Sequence, residues 1–295
     1  MRTITALAIA LALAAPPAAR AADGKLAVVA AENFYGDIAA QIGGTHVDVV
    51  SIMNKPDQDP HLFETTPGVV RQIADAQIVI LNGANYDPWM EKLLAAAPKA
   101  GRSVIAAADL VRAKSGNSSG DNPHLWYQPA TMPAVAKALA DAFTKADSAH
   151  ASGYVAHLAT TLASLDRIAQ RVAQIKAKHA GAAVTATEPV FGPMAGALGL
   201  TMRNQRFQLA MMNDTEPSAR DIAAFENDLK QRKVKVLLYN KQVSQKQTER
   251  LLAIAKAANV PAVGVTETQP ANMSFQDWML AQLEALDKAL SGPSS

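Results

Sequence analysis

Short apolar runs alternate along the chain with longer segments in which apolar residues recur every three or four positions. The short runs are typical of buried strands, and the longer segments are typical of amphipathic helices. Strands are predicted at 25–31, 46–52, 77–81, 103–106, 182–187, 234–239 and 261–265. Helices are predicted at 34–42, 66–76, 86–97, 129–145, 217–232, 244–258 and 274–290, with a loop at 112–123. Because strands alternate with helices, we expect an α/β fold with mainly parallel sheets flanked by helices.

One predicted helix, at 148–179, is much longer than the others and interrupts this alternation once. Its apolar residues keep steps of three or four, so one face is expected to be buried. At 1.5 Å per residue it would extend roughly 48 Å, which spans a small domain. We therefore predict an N-terminal lobe at 22–147, a linking helix at 148–180 and a C-terminal lobe at 181–295.

The first residues have the pattern of a secretory signal rather than of a folded domain. Arg2 is followed by an almost unbroken apolar run at 4–15, and Ala-Arg-Ala at 19–21 fits the small-x-small cleavage rule. We predict a signal peptide at 1–21. An uncleaved anchor is the alternative, but the run is shorter than the roughly 20 residues that span a bilayer. Since no later stretch is long and apolar enough to cross a membrane, the mature protein is expected in the periplasm.

Composition excludes several classes of protein. Lys and Arg number 28 against 26 Asp and Glu, so no basic excess indicates nucleic acid as a partner. Cysteine is absent, which excludes disulfides, thiolate metal sites and cysteine nucleophiles. The sequence also lacks H-E-x-x-H, G-x-S-x-G and P-loop motifs, so no enzyme signature is present.

Two similar motifs each place a histidine in a rigid loop. Asp-Pro-His-Leu-Phe occupies 59–63 and Asn-Pro-His-Leu-Trp occupies 122–126. Proline fixes its own φ and restricts the residue before it, so the backbone at His61 and His124 is held extended. A fixed imidazole suits a metal ion, which tolerates little positional error. The preceding Asp or Asn could orient a ring N–H.

Two carboxylates follow strands of the second half at the ends where α/β proteins bind ligands. Glu188 comes directly after the strand at 182–187, and Glu267 comes just past the strand at 261–265. Ligands of open α/β sheets lie beyond the carboxyl ends of strands. If the two lobes face each other, two imidazoles and two carboxylates converge there, and the carboxylates neutralise a divalent cation. The alternatives are a helix cap for Glu188 and a solvated loop acid for Glu267.

These residues occur in stretches that resemble the metal-cation-binding solute receptors of bacterial ABC uptake systems, the zinc, manganese and iron class. The resemblance is carried by VVAAENFYGDIAAQIGG, by DPHLFETTPG with the following NGANYDPW, and by NPHLW. It implies two α/β lobes joined by one long helix, with the cation buried between them. It also implies that His61 and His124 are ligands from the N-terminal lobe.

The resemblance assigns the two remaining ligands less uniformly. Thr-Glu-Pro-Val-Phe at 187–191 supplies Glu188 where the family has a histidine or glutamate. Thr-Glu-Thr at 266–268 supplies Glu267 where the family usually has an aspartate, and Asn240 stands where many relatives carry an acid. Two histidines with two carboxylates resemble the manganese-type members.

The resulting hypothesis is a monomeric periplasmic receptor, not an enzyme, that delivers a divalent transition metal to an ABC permease. Oxygen-rich coordination favours Mn²⁺ or Fe²⁺, while Zn²⁺ remains a candidate because it stands above manganese in the divalent affinity order. The alternatives are a secreted metallohydrolase with an open metal site and an adhesion protein with a structural metal.

Overall fold

A computed structural model describes residues 24–55, 63, 65–115, 122–243 and 246–292. The predicted signal peptide at 1–21 and the predicted ligand His61 lie outside the described residues. None of the helices in the described part is long and apolar enough to cross a membrane.

Strands and helices alternate along most of the chain. The strands are β1 (Leu26–Glu32), β2 (Val47–Met53), β3 (Ile78–Leu81), β4 (Ser103–Ala106), β5 (Ala183–Ala186), β6 (Thr201–Arg203), β7 (Val236–Asn240) and β8 (Ala262–Val265). The helices are α1 (Asn33–Gly43), α2 (Pro67–Asp75), α3 (Pro88–Ala96), α4 (Ala107–Ser115), α5 (Thr131–Ala146), α6 (Ala151–His179), α7 (Gly192–Ala197), α8 (Gln205–Met212), α9 (Ala219–Lys230), α10 (Lys246–Ala257) and α11 (Phe275–Ser291).

The strands form two four-stranded sheets, one on each side of α6 in the sequence. Their orders are β2-β1-β3-β4 and β6-β5-β7-β8, and every pairing in both sheets is parallel. Because parallel neighbours need crossover connections, helices cover the sheets. This architecture confirms the predicted fold class, whereas the boundaries at 147 and 180 remain a prediction.

The two sheets repeat the same strand order, so positions in one half have counterparts in the other. Ala30 of β1 pairs with Ile80 of β3, and Ala186 of β5 pairs with Leu238 of β7. Counting two residues onward from each pair makes Glu32 the counterpart of Glu188, and Asn82 the counterpart of Asn240. In both halves these residues lie where the strand order reverses, which is the usual ligand position in such sheets.

The last helix, α11, joins the two halves. The Phe275 N–H donates to Asp37 of α1 at 2.7 Å, and the Gln276 amide donates to Ser164 of α6 at 2.8 Å. Near its end, Asp287 accepts hydrogen bonds from Arg171 and from two further basic side chains of α6, Lys178 and His179. The helix therefore packs against the first helix of the chain and along the connecting helix.

Several short elements were not predicted. Helix α4 extends to Ser115, so the prediction of a loop from 112 is wrong for its first four residues. Elements α7, β6 and α8 fill the stretch between β5 and α9, for which no element was predicted. Each has three to eight residues, which is too short for a helical period to be visible in the sequence.

Candidate metal centre

His124 is held from one side by an asparagine and faces a carboxylate on the other. The Asn122 Oδ1 accepts from the His124 backbone N–H at 3.1 Å and lies 2.7 Å from Nδ1 of its ring. Since the Asn122 amide nitrogen donates to Pro189 O, the oxygen of the amide must face the ring. The Nδ1 atom therefore donates to Asn122, and the ring directs Nε2 to the opposite side, where a metal ligand nitrogen is needed. As expected from the motif, Asn122 orients the imidazole. The prediction of an extended backbone at His124 is wrong, because φ −76° and ψ 58° place this residue in a tight turn closed by the Leu125 N–H on Pro123 O at 2.7 Å.

The same asparagine connects the two halves of the molecule. Its amide nitrogen lies 2.8 Å from the carbonyl oxygen of Pro189, which directly follows β5 and Glu188. The motif that holds His124 is thereby fixed to the strand end that carries the candidate carboxylate of the second half.

Glu188 leaves β5 in an extended conformation, with φ −143° and ψ 159°. The proline that follows it favours this conformation, as predicted. Its side chain makes no capping hydrogen bond to the helical turn at Pro189–Phe191, so the capping alternative is not what the structure has. Instead, Glu188 Oε2 accepts from the side-chain amide of Asn240 at 2.9 Å.

Glu267 reaches the first half of the molecule. Its Oε2 lies 3.5 Å from Nε2 of His124 and accepts from the Tyr86 hydroxyl at 3.1 Å. The loop that carries Glu267 is fixed by the side chain of Gln242, whose oxygen accepts from the backbone N–H groups of Glu267 and Thr268. Glu267 is 5% exposed, which excludes the alternative of a solvated loop acid.

Asn240, the last residue of β7, joins the two carboxylates. Its amide nitrogen donates to Glu188 Oε2 at 2.9 Å and to Glu267 Oε1 at 2.7 Å. Its own side-chain oxygen accepts from the Gln242 N–H at 3.0 Å, which fixes the orientation of the amide. Two buried carboxylates therefore share one neutral donor, which offsets part of the repulsion between them.

The surroundings of these groups are buried and aromatic. His124 is 1% exposed, and its ring makes edge contacts with Tyr86 and Trp126 at centroid distances of 5.8 and 5.3 Å. Burial, and next to it the charge of Glu267, raises the pKa of Tyr86 well above its ordinary value. The hydroxyl of Tyr86 therefore remains a neutral donor to the carboxylate.

The structure thus brings His124 and Glu267 together and links Glu188 to Glu267 through Asn240. Within the described ranges, no three His, Cys, Asp or Glu side chains form a cluster with metal-ligand spacing. The fourth predicted ligand, His61, lies outside those ranges. The carboxylate oxygens of this arrangement are met by amide and hydroxyl donors, which an entering cation would have to replace.

Sequence reasoning missed Tyr86 as a member of the site and noted Asn240 only as a departure from relatives. Tyr86 lies in the segment NGANYDPW, which contributed to the family resemblance, but no role was assigned to its tyrosine. Its position in the loop between β3 and α3, next to the reversal of strand order, was the available signal.

Comparison with known proteins shows the family to which the chain belongs. The family model described as zinc-uptake complex component A, periplasmic, matches residues 28–289. The manganese-binding lipoprotein MntA of Bacillus subtilis is 26% identical over 247 residues, covering 81% of this chain and 78% of that protein. These matches confirm the resemblance that the sequence motifs indicated.

Solved structures share the fold. The periplasmic zinc binding protein TroA from Treponema pallidum superposes with a TM-score of 0.77 at 19% identity, covering 90% of this chain and 99% of that one. A mutant structure of the laminin-binding adhesin Lmb from Streptococcus agalactiae has a TM-score of 0.73 at 21% identity, with 90% and 99% covered. Proteins whose names mention different ligands, zinc and laminin, therefore share this architecture.

Proposed function

The chain belongs to the family of periplasmic component A of zinc-uptake complexes, and on that premise we propose that it is a receptor for a divalent transition metal. It captures the ion in the periplasm as a monomer and delivers it to an ABC permease. The ion is cargo, and no bond of a substrate is made or broken, so the protein is not an enzyme.

The observation that carries the proposal is that a buried imidazole of the first half faces a carboxylate of the second half, which an asparagine links to another carboxylate. His124 presents Nε2 toward Glu267 across 3.5 Å, and Asn240 links Glu267 to Glu188. His61 supplies the second nitrogen in this proposal. Two carboxylates balance the charge of a divalent ion, which makes its burial between the lobes tolerable.

The donor set favours manganese or ferrous iron as cargo, and zinc is a further candidate. Two carboxylates provide hard oxygen ligands that can bind through both atoms, which suits an ion with more than four ligands. Zinc binds tightly to any set of this kind, because it stands above manganese in the divalent affinity order. Affinity alone therefore does not identify the cargo, and the metal content of protein taken from the periplasm does.

Calorimetry of metal-free protein against Mn²⁺, Fe²⁺ and Zn²⁺ tests the proposal. We expect about one ion per chain. His124→Ala and Glu188→Gln are each expected to lower affinity at least about tenfold, because each removes one ligand atom from the shell. The exposed histidine of the first turn before α6, changed in His150→Ala, is the matched control and should bind as the wild type does.

Unchanged affinity in both ligand variants would contradict the proposal. Metal-dependent turnover of esters or phosphates by the wild-type protein, lost in His124→Ala, would favour a metallohydrolase instead. Binding to a host surface protein without any effect on metal uptake would favour an adhesion protein.

A further inference from the structure

Because the two sheets have the same strand order, Glu188 has an equivalent residue in the first half, Glu32. Glu32 is not one of the proposed metal ligands. Glu32 ends β1 as Glu188 follows β5, and each lies two residues beyond an equivalent sheet pairing. Glu188 is directed to the site between the halves, where it meets Asn240. Glu32, in contrast, is fully buried within the first half.

The Glu32 carboxyl meets another carboxyl instead of a donor. Neither of its oxygens has a hydrogen-bond partner in the described part of the chain. The polar group in contact with it is the side chain of Asp87, whose Oδ2 and Oδ1 already accept from the backbone N–H groups of Asn82 and Gly83 at 2.7 and 2.8 Å. Two ionised carboxylates cannot hydrogen-bond to each other, so this contact requires a proton.

Among the described residues, the other titratable groups that interact with Glu32 supply no positive charge. Tyr35 of α1 donates its hydroxyl proton to Asn82 Oδ1 at 2.7 Å, and Tyr86 donates to Glu267. Both tyrosines, with Asp87, interact electrostatically with Glu32, and none is a cation. Burial and then the charge of Asp87 raise the pKa of Glu32 well above its ordinary value, and burial raises the pKa of Asp87 to about 6.

We propose that Glu32 and Asp87 share one proton, and that this pair positions the loop of residues 82–87 that supports the metal site. Asp87 holds the first residues of that loop through their N–H groups, and Glu32 donates its proton to Asp87. In this proposal the two equivalent glutamates have different roles. Glu188 is a carboxylate that binds the cation, whereas Glu32 is neutralised by a proton and holds the loop that supports the site.

The loop transmits this positioning to two sides of the site. The Asn82 amide donates to the carbonyl oxygen of Pro123 at 2.9 Å, directly before His124. The Tyr86 hydroxyl donates to Glu267 Oε2 at 3.1 Å. Glu32 is therefore a positioning residue that acts through this loop, and this part of the inference rests on the proposed function.

Thermal unfolding of the metal-free protein between pH 5 and pH 9, in the wild type and in Glu32→Gln and Glu32→Ala, tests the shared proton without any metal. When the pKa of a carboxyl group is higher in the folded than in the unfolded protein, the free energy of unfolding falls as pH rises from the unfolded pKa, about 4.5, toward the folded pKa. A glutamine keeps a donor for Asp87 and does not titrate. The difference in Tm between Glu32→Gln and wild type should therefore rise in favour of the variant with increasing pH.

Glu32→Ala removes the donor and should unfold at a lower temperature than Glu32→Gln at every pH. The exposed glutamate of α3, changed in Glu91→Gln, is the matched control, and its difference from wild type should stay constant over this range. Infrared difference spectra at pH 7 should show the carbonyl band of a protonated carboxyl group in the wild type and its loss in Glu32→Gln. A pH-independent difference in Tm, or equal destabilisation by glutamine and alanine, would overturn the shared proton.

Titration with Mn²⁺ tests the positioning role separately. Glu32→Gln should retain the wild-type affinity within about twofold, whereas Glu32→Ala should weaken it by about tenfold. Wild-type affinity in Glu32→Ala would overturn the positioning role even if the proton is shared. If the wild-type protein itself bound no divalent metal, the proposed function would fail, while unfolding and infrared spectra would still decide the state of Glu32.

Discussion

Replacing Asn240 by aspartate should destabilise the metal-free protein strongly, although the two side chains have almost the same shape. The Asn240 amide donates to Glu188 at 2.9 Å and to Glu267 at 2.7 Å, and all three side chains are buried. A hydrogen bond to a charged group contributes about 1.5–3 kcal/mol. Asn240→Asp loses both and places a third carboxylate against the other two.

The lower end of that range, about 3 kcal/mol for two bonds, sets the expected effect. In a chain of this size each kcal/mol shifts Tm by about 2–4 °C, so Tm should fall by roughly 6–12 °C. Calorimetric unfolding of both proteins in the presence of a chelator measures this fall in Tm. Asn227→Asp, at an exposed position of α9, introduces the same charge and should change Tm by no more than about 2 °C.

Addition of Mn²⁺ should raise the Tm of Asn240→Asp by more than it raises that of the wild type, because a cation neutralises the added charge. If metal-free Asn240→Asp unfolded within about 2 °C of the wild type, the amide would not be what holds the two carboxylates together. Equal stabilisation by the metal in both proteins would show that the ion does not enter between these carboxylates.

Two further predictions concern the scaffold. Burial acts to raise the pKa of Asp287, but hydrogen bonds from three basic side chains of α6 lower it below its ordinary value of 3.8. Asp287→Asn should therefore lower Tm at pH 7, and the loss should shrink as pH falls below 3.8 toward the lowered pKa of the folded protein. A Cβ at Gly44, where φ is +55°, would lie 2.7 Å from the His157 ring, so Gly44→Ala should cost about 1–3 kcal/mol in urea unfolding. Gly101→Ala, with φ +77° and nothing within 4 Å of the added carbon, should cost less because it carries the backbone strain alone.

The parts of the fold with a clear period were predictable from the sequence. The N-terminus of α2, predicted to begin at 66, is one case, since Thr66 accepts from the Val69 N–H and Pro67 takes the first helical position. Helix α11 likewise begins after Ser274, whose hydroxyl accepts from the Asp277 N–H. Such caps are local, so the sequence alone carries them.

The site was predictable where it depends on strand ends and less so where it depends on long-range hydrogen bonds. Glu188 and Glu267 were predicted because ligands of α/β proteins bind beyond the carboxyl ends of strands. His124 was predicted because its Pro-His-Leu-aromatic motif occurs twice. The contacts of Tyr86 and Asn240 join residues that are 181 and 27–52 positions apart, and no spacing along the chain reveals them. Glu32 lies just past the strand predicted at 25–31 and was given no role there, and only the equivalence of the two sheets distinguishes it.

The position of α11 also affects the order in which the molecule can fold. Its first residues bind Asp37 of α1 and Ser164 of α6, and the Asn33 side chain exchanges two hydrogen bonds with the backbone of Gln269, 236 positions later. A ribosome has therefore to deliver almost the whole polypeptide before the first helix acquires its final neighbours. Until then the surfaces that these contacts cover stay exposed to solvent, and contacts between such distant residues form late in folding.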